Sequence, residues 1–133
     1  MIGIDTNVLV RHIVQDDEQQ ARDASRLIES RCTPDDPGII SLVVLCELVW
    51  VLDCGYGYDR HTILTLLRRL LAAEDLRVER SELAWQAVGL YEEGKADFAD
   101  YVIGLCHEAG GAEVTFTLDR RASGCKLFKL VGR

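Results

Sequence analysis

The sequence predicts an α/β protein, specifically an α/β/α sandwich around a mostly parallel central sheet. Short apolar runs bounded by turn residues alternate with longer stretches of helical periodicity, the order in which a parallel sheet covered on both faces is built. The 133-residue chain is 48% hydrophobic with only 2 Pro. That is enough apolar material to bury a core without a disulfide framework or structural metal. Neither an internal repeat nor a linker interrupts it, so a single domain over residues 1–133 is expected.

Residues 1–5 read as a first strand ending at Asp5-Thr6-Asn7, after which Val8, Leu9 and Ile13 open a helical pattern. Asp16 with Gln19 has the spacing of a capping box, and Ala21, Ala24, Leu27 and Ile28 continue at helical intervals. Pro34-Asp35-Asp36-Pro37-Gly38 signals a turn, and Ile39-Ile40-Ser41 a buried strand. Residues 42–52 are apolar on nearly every side, as in a core helix. Asp59 is placed to cap a helix carrying Ile63, Leu66, Leu67, Leu70 and Leu71. Leu76-Arg77-Val78 is a short strand. Ser81 caps a helix carrying Leu83, Ala87, Leu90 and Tyr91 and stopping near Gly94. Asp97 opens a further helix that ends at Gly110-Gly111. Residues 114–117 form a strand stopping at Asp119, a short turn or helix follows, and 127–131 make the last strand.

With 15 basic and 22 acidic residues the net charge is -7, which excludes a simple basic nucleic-acid coat protein. An acidic enzyme whose site is neutralised by cations remains compatible with that charge. Five cysteines, Cys32, Cys46, Cys54, Cys106 and Cys125, contain no CxxC pair and mostly sit in apolar surroundings. They read as buried reduced thiols, which points to the cytoplasm. The N-terminus lacks the basic region of a signal peptide, and the apolar run at 42–46 is too short to cross a membrane.

Ligand and catalytic sites of such folds lie at the carboxyl ends of strands, beside helix N-termini. Asp5 ends the first strand and Asp119 the fourth, Asp97 and Asp100 share a helix face at i, i+3, and Glu47 stands in the apolar helix after the second strand. Each has a plainer reading. Asp5 and Asp97 suit N-caps, Asp100 suits a helix dipole, and Asp119 suits a turn with Arg120 and Arg121. Glu47 resists one, because an acid among Val43, Val44, Leu45, Leu48, Val49 and Trp50 is costly unless paired or metal-bound. Clustered carboxylates repel one another, and magnesium or manganese, which prefer oxygen ligands, relieve that repulsion and support phosphodiester hydrolysis. His12, His61 and His107 have no metal-ligand spacing, no serine lies in a GxSxG context, and no GxGxxG or GxxxxGK[ST] occurs. Arg68-Arg69 and the basic residues Arg120, Arg121, Lys126, Lys129 and Arg133 are solvated faces or local positive charge for an RNA backbone.

Ile2-Gly3-Ile4-Asp5-Thr6-Asn7-Val8-Leu9, Glu47 in its apolar helix, Asp97-Phe98-Ala99-Asp100 and Val114-Thr115-Phe116-Thr117-Leu118-Asp119 together resemble the PIN domain family, and within it the VapC toxins of bacterial toxin–antitoxin systems. The resemblance implies a magnesium- or manganese-dependent endoribonuclease acting on structured RNA, tRNA included, and leaving a 3′-hydroxyl and a 5′-phosphate. It implies a metal site of Asp5, Glu47, Asp100 and Asp119, with Asp97 as an added acid and Thr6, Asn7 and Thr117 supporting the ligands. It further implies a homodimer and a small antitoxin partner. Tyr101 and Gly104 depart from the small alanines common at those places. Two other readings stand beside this one: an inactive RNA- or protein-binding module on the same fold, and a metal-dependent phosphatase. The phosphatase chemistry needs a second Asp where Asn7 stands.

Overall fold

The computed structural model describes residues 1–132. Helices dominate, every strand pairing is parallel, and the chain divides into two compact units, Met1–Ser81 and Glu82–Arg133.

In the first unit, Asp5 takes an extended conformation immediately before helix α1 (Thr6–Val14), which ends where Gln15 turns left-handed at φ 62°. Helix α2 (Glu18–Arg31) is capped by Asp17, whose carboxylate accepts the Gln20 amide at 3.0 Å. The cap is therefore one residue later than the Asp16–Gln19 pair expected, because Asp16 is drawn to Arg11 and Tyr56 instead. Strand β1 (Gly38–Ile40) runs into helix α3 (Leu42–Trp50), where the Ser41 hydroxyl accepts the Val44 amide at 3.1 Å. Glu79 accepts the Leu42 amide, also at 3.1 Å, so two of the unpaired N–H groups at this helix start are satisfied by side chains. A π-helical turn, Val51–Gly55, continues α3. Asp59 caps helix α4 (Arg60–Ala72) through the Thr62 amide at 2.8 Å, and strand β2 (Leu76–Val78) pairs in parallel with β1, Gly38 opposite Leu76.

The expected first strand is reduced to a single bridge, Gly3 beside Ile39. It is anchored by the Ile4 amide donating to Ile39 O at 2.9 Å and the Ile39 amide donating to Ile2 O at 2.7 Å. The helix that follows starts at Thr6, two residues before the expected Val8. Helix α3 is not buried all round. Leu42, Leu45, Leu48 and Val49 face the core, while Val43, Glu47 and Trp50 are exposed. The 3.6-residue period sorts these faces even where composition hides it.

Helix α5 (Ser81–Glu93) starts at the last residue of the first unit and otherwise belongs to the second, where it buries Leu83, Ala84, Ala87, Val88 and Tyr91. Helix α6 (Phe98–Ala109) follows the N-cap Asp97, and the Phe98 and Tyr91 rings meet edge to face at a centroid distance of 5.6 Å. Strand β3 (Thr115–Thr117) pairs in parallel with β4 (Phe128–Leu130), with a short 3-10 turn at Ala122–Gly124 between them. The departures at Tyr101 and Gly104 have packing reasons. Tyr101 is buried and its hydroxyl accepts the Ala96 amide at 3.2 Å, and a Cβ on Gly104 would stand 2.8 Å from the Phe128 ring.

All five cysteines are free, but burial holds for Cys32 alone; Cys54 is exposed and the other three are half-buried. Burial pushes the Cys32 thiol above its usual value. Among the described residues no helix is long and apolar enough to cross a membrane. Arg133 lies outside the described residues.

Candidate functional site

The carboxylates singled out in the sequence fall in both units. In the first, Asp5 holds the N-cap position of α1 yet makes no side-chain capping bond, so its exposed carboxylate is not consumed by the helix it precedes. Thr6, the next residue, is buried at 6% exposure, and its hydroxyl donates to Glu47 Oε1 at 3.0 Å. This bond crosses from the first turn of α1 to the middle of α3. Glu47 is not the buried, uncompensated acid that its apolar neighbours suggest. It is an exposed carboxylate whose orientation a buried hydroxyl fixes, which is how supporting residues set ligand geometry. Asn7 is exposed on the same first turn and lines a cleft with Val8, Arg11, Gln20 and Asp23.

The second unit gathers Asp97, Asp100 and Asp119 around one arginine. Asp97 is the N-cap of α6, and its amide donates to Asp100 Oδ2 at 3.2 Å, the return arm of a capping box. Arg121 reaches both flanking acids, 3.8 Å from Asp97 and 3.6 Å from Asp119. Asp119 is held by its own turn. Its amide donates to Thr117 Oγ1 at 3.0 Å, and its Oδ1 accepts the Arg121 amide at 2.8 Å. The helix-cap reading of Asp97 and the turn reading of Asp119 are thus both realised, without removing either carboxylate from solvent. Asp100 is half-buried. That burial raises its carboxyl above the usual carboxylate value, and the negative charges of Asp97 and Asp119 add to the rise. The Asp97 amide and Arg121 pull the other way. Crowding of like charges on a partly desolvated acid is the electrostatic condition that a cation relieves.

The donors are hard carboxylate oxygens, the type that magnesium and manganese prefer. Among the described residues, however, no group of three or more His, Cys, Asp or Glu side chains stands close enough to hold a metal ion. Donor chemistry fits a divalent ion; the number of converging donors does not reach a cage, and beside Asp97 and Asp119 the positive charge comes from Arg121.

A family model, the PIN domain, matches residues 2–124. The chain belongs to the PIN domain family. No curated protein and no solved structure matches it. PIN domains are generally nucleases, those nucleases act on RNA, and they typically use divalent metal ions. The α/β architecture with all-parallel strand pairs accords with that membership. Two of the three histidines of this PIN chain take structural partners, His12 with Ser25 at 2.8 Å and His107 with Thr115 at 2.9 Å.

Sequence reasoning overlooked Lys95. It lines a cleft in the second unit together with Arg120, Arg121 and Lys126, about 25 residues further along the chain. Nothing periodic links those positions; the one signal was that all three lysines of the chain fall after residue 94.

Proposed function

We propose that this PIN chain is a magnesium- or manganese-dependent endoribonuclease of the VapC kind, the toxin half of a toxin–antitoxin pair. The observation that carries this reading is Asp100, an acid made harder to ionise by burial and by Asp97 and Asp119 at its side. A chain selected only for stability has little use for two carboxylates at one helix start with the charge of a third, Asp119, raising the inner one further. The proposed catalytic and metal-holding acids are Asp5, Glu47, Asp100 and Asp119, with Asp97 as an added acid. A divalent ion on such carboxylates supplies Lewis acidity to the phosphodiester and lowers the pKa of the attacking water. The residues themselves contribute position. Thr6 orients Glu47, Thr117 fixes the turn that presents Asp119, and the Asp97 amide holds one Asp100 oxygen. Asn7, exposed on the first turn of α1, is the proposed support for Asp5, the acid just before that turn. The proposed products are a 3′-hydroxyl and a 5′-phosphate.

The proposed partners are a structured RNA, with tRNA foremost, a small antitoxin, and a second copy of the chain. The proposed compartment is the cytoplasm, supported by five free thiols. Both units are taken as parts of a single domain over residues 1–133.

The test is cleavage of total cellular RNA by wild type, Asp5→Asn and Asp100→Asn in magnesium, manganese or EDTA. Cutting that needs both the ion and the acids is the expected result. Cutting indifferent to EDTA and to both substitutions would refute the acidic mechanism. One observation favours a second reading, an RNA-binding module that does not cut: Arg121 stands within ion-pair distance of both Asp97 and Asp119 and offsets part of their charge. RNA binding without cleavage under every ion condition would select it.

A further inference from the structure

We propose that the second unit contains a binding cleft for the backbone phosphates of an RNA strand, formed by Lys95, Arg120, Arg121 and Lys126. The proposal rests on the nuclease reading above and names where that nuclease grips its substrate. The cleft encloses about 620 Å³ and is lined by those four cations, with Glu93 as the one acid. In a chain of net charge -7, such a cluster of positive charge runs against the overall balance. Among the described residues no ion pair engages Lys95, Arg120 or Lys126, so three of the four cations face solvent with their charge unspent. Pockets that enclose a small organic ligand span roughly 300–1,000 Å³. The cleft is therefore large enough for a nucleotide unit and larger than a simple ion requires.

Its inner wall is tightly packed. Gly94 lies against the buried Tyr101 ring, and a Cβ there would come 1.8 Å from the phenol oxygen. Leu90 and Cys125 supply apolar wall between the cations. A phosphodiester strand matches that pattern, since it carries one charge per nucleotide with sugar and base between charges. An acidic peptide would bring denser negative charge against Glu93, Asp97 and Asp119. The same short segments present both kinds of charge. Lys95 stands two residues before Asp97, and Arg120 and Arg121 directly follow Asp119. Arg121 belongs to both sets, lining the cleft while standing 3.8 Å from Asp97 and 3.6 Å from Asp119. A strand gripped by the cations is thereby brought beside these acids.

The test measures binding without cleavage. A labelled 2′-O-methyl oligouridylate is titrated in EDTA at several salt concentrations against wild type, Lys95→Gln/Arg120→Gln/Lys126→Gln, and a control, Arg22→Gln/Arg26→Gln/Arg31→Gln, with the same change of net charge on α2. The cleft variant is expected to bind about tenfold or more weakly at low salt. The slope of log Kd against log salt should fall by about 2, at ~0.7 per lost phosphate contact on a single strand. The control should match wild type, and melting temperatures of all three should agree because the substituted side chains are exposed. Unchanged affinity and slope in the cleft variant, or no binding by wild type, would overturn the proposal. Uridine monophosphate or inorganic phosphate competing as well as the oligonucleotide would also overturn it, leaving a pocket for a free anion. Failure of the nuclease reading looks different: the cleft variant loses oligonucleotide binding, yet wild type cuts no RNA with either metal.

Discussion

The Thr6 hydroxyl donates to Glu47 Oε1 at 3.0 Å across 41 residues of sequence. Thr6 is buried while Glu47 is exposed, so the bond is sheltered at its donor end and a freed Glu47 oxygen turns to water. Thr6→Val keeps shape and removes the donor. The expected cost is about 1 kcal/mol of stability. If Glu47 acts in catalysis, RNA cleavage should fall about 10–100-fold, the usual effect of deleting a group that orients a ligand. Glu47→Gln separates the two effects, since its amide oxygen still accepts from Thr6 while its charge is gone. Urea melts and cleavage rates of both single variants and the double variant check this. Additive losses in activity would show that Thr6 does not work through Glu47.

Much of this site was legible because helix starts and strand ends obey local rules. Asp97 as an N-cap, Asp119 as a turn residue and Ser41 and Asp59 as caps all follow from short-range chemistry. What escaped was decided at long range. Asp16 and Asp17 both stand three residues before a glutamine, so spacing alone could not choose between them; Tyr56, forty residues on, settles it by taking Asp16. Glu47 looked buried because every neighbour in sequence is apolar, yet the helical period turns it outward with Val43 and Trp50. Lys95 and Lys126 come together only when the chain after α6 folds back, an event no local pattern announces.

Two glycines in the second unit make opposite predictions. Gly94 has no room for a Cβ, which would sit 1.8 Å from the Tyr101 oxygen and 2.9 Å from its ring carbon. Gly94→Ala must push out a buried ring that also holds the Ala96 amide, and a cost of about 2–3 kcal/mol is expected. Gly89 lies inside α5, exposed, with nothing within 4 Å of a Cβ. Gly89→Ala should therefore stabilise by about 0.5–1 kcal/mol through helix propensity. Thermal melts of the two variants should move in opposite directions from wild type. A Gly94→Ala melt at or above wild type would refute the packing account of Gly94, and a lowered Gly89→Ala melt would refute the propensity account of Gly89.

The start of α3 carries two side-chain caps, Ser41 on the Val44 amide and Glu79 on the Leu42 amide. They satisfy different donors and touch no common atom. Ser41→Ala should cost about 1 kcal/mol. Glu79→Gln keeps an acceptor oxygen and should cost less than Glu79→Ala. The double variant Ser41→Ala/Glu79→Ala should lose close to the sum of its singles, within about 0.5 kcal/mol. A double loss no greater than either single would mean that one cap replaces the other.

Acid and alkali should both weaken the first unit through one cluster. The Tyr56 hydroxyl donates to Asp16 Oδ2 at 2.8 Å, and Arg11 Nη1 donates to Asp16 Oδ1 at 3.1 Å. The Tyr56 bond is the leading reason the Asp16 carboxyl lies below its ordinary value, and the same bond raises the Tyr56 phenol. A depressed carboxyl contributes stability above its unfolded-state pKa and loses it as pH falls through the folded value. A raised phenol contributes below its unfolded-state pKa and loses that as pH rises through the folded value. Asp16→Asn should remove both contributions. Its deficit in urea midpoint against wild type should be greatest on the neutral plateau and shrink toward both ends of a series from about pH 3 to 11. Tyr56→Phe should reproduce most of the acid-side change and leave Arg11 with Asp16 intact. Because the cluster is exposed, about 0.5 M salt should narrow the deficit as well. Wild-type and Asp16→Asn curves running parallel across the whole series would show that these three side chains are not linked to folding.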